Sequence, residues 1–344
     1  MLGGGTFITQ SEILPGAYIN FVSSTKANSA VGERGIVAIA LPLNKDAGKV
    51  IEIDRADFIK NAEVILGKAY ESTDLAPLRE IFCNANRVYI YDLGESGSVA
   101  DAISALEAYE FNILVAYTDE SSDAATYISA VKEWRDELGK KCQVVVYNQE
   151  APDYEGVINV VSTIDDAEVP HALVAWVAGA EAGCKINESC TNKAYNGEYN
   201  IVIDKTQKQL EQCITNGQIA FHLVYGEIRM LEDINSLKTT TLQKGEDFKY
   251  NQTIRVIDQI ANDIARLFNT KYLGKIPNTA SGRVSLWGDI VAHHRDLEAV
   301  GAIENFSSTN LVVNQGANKK SVVINDLVTV TNAMAQLYMT IVVQ

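Results

Sequence analysis

The chain has few cysteines, and their pattern excludes a disulfide scaffold. There are five among 344 residues, an odd number, and they are scattered along the sequence. Domains that depend on disulfides carry more cysteines at closer and more regular spacings. We therefore expect reduced thiols and a protein that is made in the cytoplasm. The cysteines are Cys83, Cys142, Cys184, Cys190 and Cys213.

Positive charge is also scarce. Lys and Arg total 29 against 44 for Asp and Glu, which gives a formal net charge of −15 at pH 7. A non-specific nucleic-acid binder needs a basic face, and a polybasic segment is the usual device of a membrane-surface protein. The composition therefore predicts no nucleic-acid partner and no direct membrane binding.

No hydrophobic run is long enough for a transmembrane helix. The longest weakly polar stretch, residues 172–184, is interrupted by Glu181 and is shorter than the roughly 20 apolar residues that span a bilayer. Residues 1–5 lack the cationic segment and apolar core of a secretory signal. We expect a globular protein without a targeting segment.

Catalytic and metal-binding motifs are absent from the sequence. There is no G-x-S-x-G nucleophile motif, and the histidines form no ligand pattern with the cysteines. Asp289 and His293 lie one helical turn apart and could share a ligand, but no second pair of ligands lies near them in sequence. We therefore predict no catalytic residues, no metal and no cofactor. The four histidines are His171, His222, His293 and His294.

One glycine-rich turn leaves an enzymatic alternative open. Gly94-Glu95-Ser96-Gly97 lies between a predicted strand and a predicted helix, where phosphate-binding loops occur. It lacks the lysine of a P-loop and the glycine spacing of a dinucleotide site. An ordinary turn with a capping serine is the favoured interpretation, and a nucleotide-binding α/β enzyme is the alternative function.

Residues 35–190 show strands alternating with helices. Continuous apolar runs such as Gly35-Ile36-Val37-Ala38-Ile39-Ala40-Leu41 are typical of strands buried on both faces. Helices of about ten to fifteen residues between such strands predict βαβ units and a largely parallel sheet. We predict strands at 35–41, 87–91, 111–117, 143–147 and 156–161. We predict helices at 54–66, 75–83, 98–109, 124–138 and 169–184.

The composition changes near residues 187–200, and an α+β pattern follows. A helix is predicted at 205–216, with strands at 218–225 and 227–237. The most periodic segment is 251–269, with Asn251 as a plausible N-cap. A second helix is predicted at 281–300 and strands at 301–306, 310–314 and 321–330. The apolar stripe of the first helix consists of Ile257, Ile260, Ile264 and Phe268.

Both ends of the chain read as extended segments. In residues 337–344, Leu337, Met339, Ile341 and Val343 alternate with more polar residues, as in a β-strand. No return strand follows, so this strand either completes a sheet of its own subunit or adds to the sheet of a neighbour. The first 25 residues are glycine-rich and then extended.

Six segments together resemble one known family. They are GGGTF at 3–7, PGAYINF at 15–21, RVIDQIANDI at 255–264, YLGKI at 272–276, KSVVI at 320–324 and AMAQLYMT at 333–340. Their order is similar to that in phage-type contractile tail sheath proteins, in the branch found in defective prophages and phage-tail-like bacteriocins of Gram-positive bacteria. The resemblance is strongest at residues 1–40 and 225–344.

This resemblance implies a structural protein without catalysis. Sheath subunits form sixfold rings, stacked as a helical sleeve around an inner tail tube protein, between a baseplate and a tail terminator. They assemble in the bacterial cytoplasm and contract to drive the tube through a target envelope. A non-contractile ring or shell protein remains a further alternative.

The resemblance also implies a domain plan and contact residues. We expect an N-terminal arm at 1–25, an outward-facing α/β domain at 26–190, a tube-facing core domain at 191–331 and a C-terminal strand arm at 332–344. The arms are expected to add strands to neighbouring subunits. The arm residues expected at these contacts are Phe7, Pro15, Gly16, Tyr18, Ile19, Phe21, Leu337, Tyr338, Met339, Ile341 and Val343.

Overall fold

The computed structural model describes residues 4–5, 17–18, 33–150, 152–169 and 171–342. A seven-stranded α/β sheet is followed by a C-terminal part that contains two long helices and a hairpin. Across these described ranges, none of the helices combines the length and apolar character needed to cross a membrane. The mixed α/β fold predicted from the sequence is confirmed.

Thirteen strands occur in the described residues, and seven of them form the large sheet. They are β1 (Gly4–Gly5), β2 (Ala17–Tyr18), β3 (Ile36–Leu41), β4 (Val50–Asp54), β5 (Arg87–Asp92), β6 (Ile113–Val115), β7 (Gln143–Tyr147), β8 (Val157–Val160), β9 (Gln218–Ile219), β10 (Phe221–Val224), β11 (Glu227–Met230), β12 (Val312–Gln315) and β13 (Val322–Asn325). The sheet order is β4-β5-β3-β6-β7-β8-β9. All pairs are parallel except β4 with β5, which is antiparallel.

Helices of the α/β part cover both faces of this sheet. The α-helices of the described residues are α1 (Arg55–Leu66), α2 (Ala76–Phe82), α3 (Val99–Leu106), α4 (Ser121–Asp136), α5 (Ala172–Gly183), α6 (Gln207–Thr215), α7 (Asn251–Leu267) and α8 (Ala280–Ala299). Alternate residues of β3 point to opposite faces, so Val37 packs in the core with α1, α2 and α5, whereas Ala38 packs with α3 and α4. This two-sided burial explains why β3 is apolar at every position.

A close helix contact lies on one face of the sheet. Gly179 of α5 approaches α2 so closely that an added Cβ atom would lie 2.3 Å from the Ile81 carbonyl oxygen. Every described residue of α5 from Ala172 to Ala182 is buried. The small residues of this helix therefore allow it to lie directly on α2 beneath the sheet.

The C-terminal part is built around α7 and α8. Helix α7 is buried over most of its length, and it continues into a π-helical turn at Phe268–Tyr272. The β12–β13 hairpin packs on α8 through a cluster that includes Leu286, Ile290 and Leu311. Gly301, with φ +73°, ends α8 in the left-handed conformation that glycine favours.

Several predicted boundaries are wrong. Strand β4 falls where no strand was predicted, and β6 is only Ile113–Val115 within the longer predicted strand. Asn251 is the first residue of α7 and not its N-cap, because its side chain bonds Ile234 and Gln143. The predicted strand 321–330 is a strand only at β13.

The sheet also continues past the predicted domain division. Strand β9 pairs with β8, so residues beyond 190 complete the α/β sheet. Ile201, Phe221 and Ile234 belong to the same buried cluster as the sheet strands. The division at residue 190 remains a prediction, and the sheet itself does not end there.

Candidate assembly surfaces

The C-terminal arm is the largest exposed apolar segment among the described residues. Residues 332–342 belong to no strand in the single chain, so the predicted strand is not formed there. Leu337, Tyr338, Met339 and Ile341 are 84%, 88%, 70% and 72% exposed. Residues 332–342 therefore join none of the sheets among the described residues, and Val343 lies outside those residues.

The start of this arm is anchored on α7. The Gln252 side chain donates to the Thr331 carbonyl oxygen at 3.1 Å and accepts from the Ala333 amide at 2.9 Å. Thr253 donates to the Asn332 side chain at 3.3 Å. The chain therefore leaves the domain surface after residue 333, at a fixed point on the first turn of α7.

The β12–β13 hairpin has edges that could accept a strand. Its two strands pair only with each other within the described residues, through an antiparallel register from Val312–Asn325 to Gln315–Val322. Val312 is exposed, whereas Ile324 is partly buried against α8. A sheet of two strands has two unpaired backbone edges, which are sites for strand addition.

The N-terminal arm is described at only two short places. Gly4–Gly5 pairs in parallel with Ala17–Tyr18, which brings the glycine-rich start beside the segment after Pro15. Five other predicted contact residues lie outside the described residues. These are Phe7, Pro15, Gly16, Ile19 and Phe21.

The apolar stripe of α7 joins three separate clusters. Ile257 packs with Leu237 and Phe248, and Ile260 packs with Leu297 and Ile303. Ile264 and Phe268 are only partly buried, and Phe268 lies in the π-helical turn after the end of α7. The stripe thus contributes to the C-terminal core.

A second, polar face of α7 contacts the α/β sheet domain. Arg135 of α4 donates to Asp258 through both terminal nitrogens, at 2.5 Å and 2.8 Å. Asn262 exchanges hydrogen bonds with the backbone of Lys141, and Gln143 of β7 donates to the Asn251 side chain at 3.0 Å. Buried polar bonds therefore fix α7 to the sheet domain.

Arg255 is the centre of a second buried group on the same helix. It donates to Glu181 at 2.5 Å, to Asp233 at 3.2 Å and to the Glu188 carbonyl oxygen at 2.8 Å. Burial raises the pKa of Glu181 well above its ordinary value, and the Asp233 charge adds to that rise. Burial alone would raise the pKa of Asp233 too, but the Arg255 charge and the hydrogen bonds that Asp233 accepts together lower it.

This group is the one cluster among the described residues with metal-ligating atoms close together. Ligand atoms of Glu181, Cys190 and Asp233 lie within 4.8 Å of one another. The Arg255 guanidinium already supplies the positive charge between the two carboxylates. The cluster is therefore explained as a buried ion-pair network, and a metal is not required to balance its charge.

The sequence contained one signal for this network. Glu181 is the single charged residue in the apolar run 172–184, and a buried carboxylate needs a partner. Nothing in sequence spacing identifies that partner as Arg255, which lies 74 residues away. The charged face of α7 was thus missed, although the apolar face was predicted.

A buried carboxylate lies beside the glycine-rich turn of the enzymatic alternative and binds one of its amides. Asp92, at the end of β5, accepts hydrogen bonds from five backbone amides at 2.8–3.0 Å. Burial alone would raise the pKa of Asp92, but these bonds lower it. Within the glycine-rich turn, Asp92 binds the Gly94 amide and the Leu93 carbonyl oxygen binds the Gly97 amide. The five donors are Leu43, Asn44, Lys45, Asp46 and Gly94.

The considered Asp289–His293 ligand pair is not formed. Asp289 bonds Lys271 at 2.6 Å and also accepts from the Tyr272 hydroxyl. His293 instead faces Asp263 at 3.2 Å and its neighbour His294 at 3.1 Å. The two predicted partners therefore belong to different local networks.

Comparison with known proteins identifies the same class throughout. A family model for the phage tail sheath protein central domain matches residues 95–236, and one for the phage tail sheath C-terminal domain matches residues 243–344. The phage-like element PBSX protein XkdK of Bacillus subtilis (strain 168) is 31% identical over 221 residues. That alignment covers 60% of this chain and 47% of XkdK, so this chain spans about half of its relative's length.

Solved structures share the fold. The crystal structure of the sheath tail protein from Desulfitobacterium hafniense has a TM-score of 0.74 and 26% identity, over 87% of this chain and 93% of that chain. The helical sheath of the anti-feeding prophage in its contracted state has a TM-score of 0.68 and 16% identity, over 95% and 98% of the two chains. Since the two family models also cover most of the sequence, this chain belongs to the phage tail sheath family.

Proposed function

We propose that the chain polymerises as stacked hexameric rings around an inner tube and contracts to drive that tube through a target cell envelope. The observation that carries this proposal is the exposed C-terminal arm, whose alternating apolar residues are not covered by any part of the chain that the structure describes. A monomeric protein gains nothing from such exposure, whereas a strand-exchanging polymer requires it.

The acceptor is the β12–β13 hairpin of a neighbouring subunit. Its strands have unpaired outer edges within the described residues, and its inner face already packs on α8. An added strand places Leu337, Met339 and Ile341 on one face, so that a single register buries all three. The N-terminal arm is proposed to join neighbouring subunits in the same way.

Assembly through such arms is cooperative. Burying Leu337, Met339 and Ile341 stabilises the contact by about 1.5–3 kcal/mol for each side chain. Ordering the backbone costs about 1–2 kcal/mol for each residue fixed. These opposing terms are of similar size, so one arm on one neighbour is weak and several simultaneous contacts are needed.

The proposal includes a location and partners. The subunit assembles in the bacterial cytoplasm on a baseplate, around a tail tube protein and beneath a tail terminator, and is released in a phage tail or tail-like particle. The core domain faces the tube and the α/β domain faces outward. The protein is not an enzyme. Family membership and the shared fold with a sheath in the contracted state support these roles.

Deletion of the arm tests the assembly proposal. A chain ending at Ala333 keeps its bonds to Gln252, and we expect it to fold with an unchanged circular dichroism spectrum. It should remain monomeric in sedimentation velocity at concentrations where the full chain forms long hollow sleeves under negative stain. Sleeves of normal length from the truncated chain would show that the arm is dispensable.

A matched pair of variants separates the apolar face of the arm from its other face. Leu337→Asp with Ile341→Asp places two charges on the face proposed to be buried. Gln336→Asp with Thr340→Asp adds the same charge at neighbouring positions on the opposite face. We expect only the first pair to stop sleeve formation. Equal effects would indicate charge repulsion and not strand addition.

Two alternatives have distinct outcomes. Closed shells, or sleeves that never change from a long form to a short form, would favour a non-contractile ring or shell protein. A nucleotide-dependent rise in thermal stability would favour the enzymatic alternative. Asp92 already binds the Gly94 amide of the glycine-rich turn, and we expect no such rise.

A further inference from the structure

One end of the C-terminal part carries positive charge in a chain whose net charge is −15. Residues 264–288 and 305–325 contain no Asp or Glu. The Asn278 side chain joins these two stretches, since it donates to the carbonyl oxygens of Lys319 at 3.1 Å and Ser321 at 2.8 Å. The basic residues of both stretches therefore lie in neighbouring parts of the fold. They are Arg266, Lys271, Lys275, Arg283, Lys319 and Lys320.

Most of this positive charge has no carboxylate partner among the described residues. Arg266 and Lys271 form ion pairs with carboxylates. Lys275 and Arg283 donate to neutral oxygens of residues 270 and 278. The lysines at 319 and 320 are exposed in the turn between β12 and β13. The uncompensated cations are thus Lys275, Arg283, Lys319 and Lys320.

These four cations border an apolar groove. Arg283 and Lys320 line a cavity of about 100 Å³ between the turn after α7, the start of α8 and β13. Its apolar walls include Phe268, Leu286 and Val322. We call the cavity and the four cations the basic groove. A groove of this kind fits a protein surface that carries acidic side chains, because opposite charges at an interface orient the partners and speed their association.

The α/β sheet has a surface of the opposite charge. Strands β6, β7 and β8 are adjacent and parallel, so their carboxyl ends meet at one edge of the sheet. The segments that follow these ends carry carboxylates, and all of them except the half-buried Asp166 are exposed. No Lys or Arg of the described residues forms an ion pair with them, and His171 lies beside Asp119. This acidic edge consists of Asp119, Glu120, Glu150, Asp165, Asp166 and Glu168.

We propose that the basic groove of one subunit binds the acidic edge of the sheet in a second copy of this chain. The two surfaces have opposite charge, and neither has its charge neutralised within the described part of its own subunit. Residues 88–131 and 142–184 contain no Lys or Arg at all, so the acidic edge lies in the part of the chain with the least positive charge. A second copy therefore supplies the complementary surface that the groove requires.

The contact differs from the arm contact in geometry and in its response to salt. Each subunit can offer its groove to one neighbour and its acidic edge to another, and such a head-to-tail contact either closes into a ring or continues as a helix. Sodium chloride screens pairs of exposed charges, whereas the burial of apolar arm residues does not depend on charge. The proposal thus adds a charge-dependent contact to the strand contact of the arms.

Zero-length cross-linking of amines to carboxylates tests the contact directly. Full chains with natural nitrogen and with nitrogen-15 are mixed in equal amounts, so that a link between copies has a mixed mass. We expect mixed links that join Lys275, Lys319 or Lys320 to the acidic edge. The absence of mixed links from these lysines, or mixed links from them only to carboxylates elsewhere, would overturn the proposal.

Sedimentation of the full chain measures the strength of the contact. Between about 0.1 M and about 1 M sodium chloride the screening length falls from about 10 Å to about 3 Å. We expect the concentration for half-maximal association to rise about tenfold. Lys319→Glu with Lys320→Glu should cause a similar rise at the lower salt concentration.

The matched control is Lys60→Glu with Lys208→Glu. Both lysines are exposed, and the pair changes the net charge by the same amount. We expect association like that of the wild type. Adding Asp165→Lys and Glu168→Lys to the Lys319→Glu, Lys320→Glu chain restores opposite charges and should recover association. No recovery, or an equal effect of the control pair, would overturn the proposal. Circular dichroism checks that each variant is folded.

These outcomes are separate from those of the proposed function. Closed shells or short oligomers that show the mixed links and the charge recovery would support the groove contact and contradict the sleeve. Sleeves that form without the mixed links would support the sleeve and overturn the groove contact.

Discussion

Arg135 and Asp258 form a two-pronged ion pair that joins the α/β sheet domain to α7. The two nitrogen–oxygen distances are 2.5 Å and 2.8 Å, and the two side chains are 4% and 10% exposed. The same guanidinium donates to the Cys142 carbonyl oxygen at 2.8 Å. Such geometry fixes the orientation of the helix as well as its distance from the sheet. It makes the junction between the two parts sensitive to single substitutions.

Removal of one partner should destabilise the chain strongly. Arg135→Met leaves Asp258 buried without its counter-ion, and we expect the free energy of unfolding to fall by about 3–5 kcal/mol. Urea denaturation measures this loss. Arg266→Met is the control, since Arg266 pairs with Glu110 on the surface and should lose at most about 1 kcal/mol.

A double variant tests whether charge burial causes that loss. In Arg135→Met with Asp258→Leu no charge is left unpaired, and we expect a large part of the stability to return. If the double variant is as unstable as the sum of the two single variants, lost packing and not an unpaired charge dominates.

Arg255 should not be replaceable by lysine. One guanidinium bonds Glu181, Asp233 and a backbone carbonyl oxygen together, and a single ammonium cannot span these positions. We expect Arg255→Lys to lower the free energy of unfolding by about 1–3 kcal/mol. Thermal and urea unfolding both report it.

The control for this substitution is Arg229→Lys. Arg229 also bonds a carbonyl oxygen and a carboxylate, those of Asn192 and Glu227, but at the surface. Its loss should be within about 0.5 kcal/mol. Similar losses at both positions would mean that burial does not distinguish the two arginines.

Glu80 should make stability fall as the pH rises. Burial raises the pKa of this carboxyl to about 7 from 4.5, although the Glu198 amide and the Tyr195 hydroxyl oppose the rise. The native state therefore binds its proton more tightly than the unfolded chain. The resulting stability is complete below pH 4.5 and is lost as the pH passes through about 7.

Glu80→Gln removes this dependence. Relative to the variant, the wild type should lose on the order of 3 kcal/mol between these limits, measured by urea unfolding at a series of pH values. Glu150→Gln, at an exposed carboxylate, should run parallel to the wild type. Parallel curves for Glu80→Gln as well would contradict a raised pKa at Glu80.

Two helical glycines should respond oppositely to alanine. A Cβ atom at Gly179 would lie 2.3 Å from the Ile81 carbonyl oxygen, whereas one at Gly288 of α8 meets nothing within 4 Å. We expect Gly179→Ala to destabilise by about 1–3 kcal/mol through overpacking. Gly288→Ala should stabilise by up to about 1 kcal/mol through helix propensity. Differential scanning calorimetry would show melting temperatures that move in opposite directions.

The local pattern of apolar residues predicted helices and strands correctly where burial alone decides the structure. The apolar run at 35–41 is buried on both faces and became β3, and Ile257 and Ile260, which the spacing put on one face of α7, are buried. Strand β4 was missed because it is an edge strand with mixed polarity, held by pairing with β5. An edge strand pairs on one side only, and its own sequence does little to show that it pairs or with which strand.

The junction residues were beyond the reach of the sequence. Arg135 and Asp258 are 123 positions apart, and each is unremarkable in its own helix. Glu181 signalled only that a partner must exist. Polar pairs between distant residues form only when helices and strands pack together. Burial makes such an ion pair necessary, and local propensity carries no sign of it.

The sequence by itself determined the α/β alternation, the apolar stripe of α7 and the family resemblance, since these depend on local periodicity and composition. The tertiary structure alone decided three other features. It joined α7 to the sheet domain, it bonded the Gly94 amide of the glycine-rich turn to Asp92, and it left residues 334–342 exposed. Each of these features depends on groups that are far apart in the sequence. A buried polar group needs a partner because burial removes its water, and an apolar segment that finds no partner stays exposed as a surface for another chain.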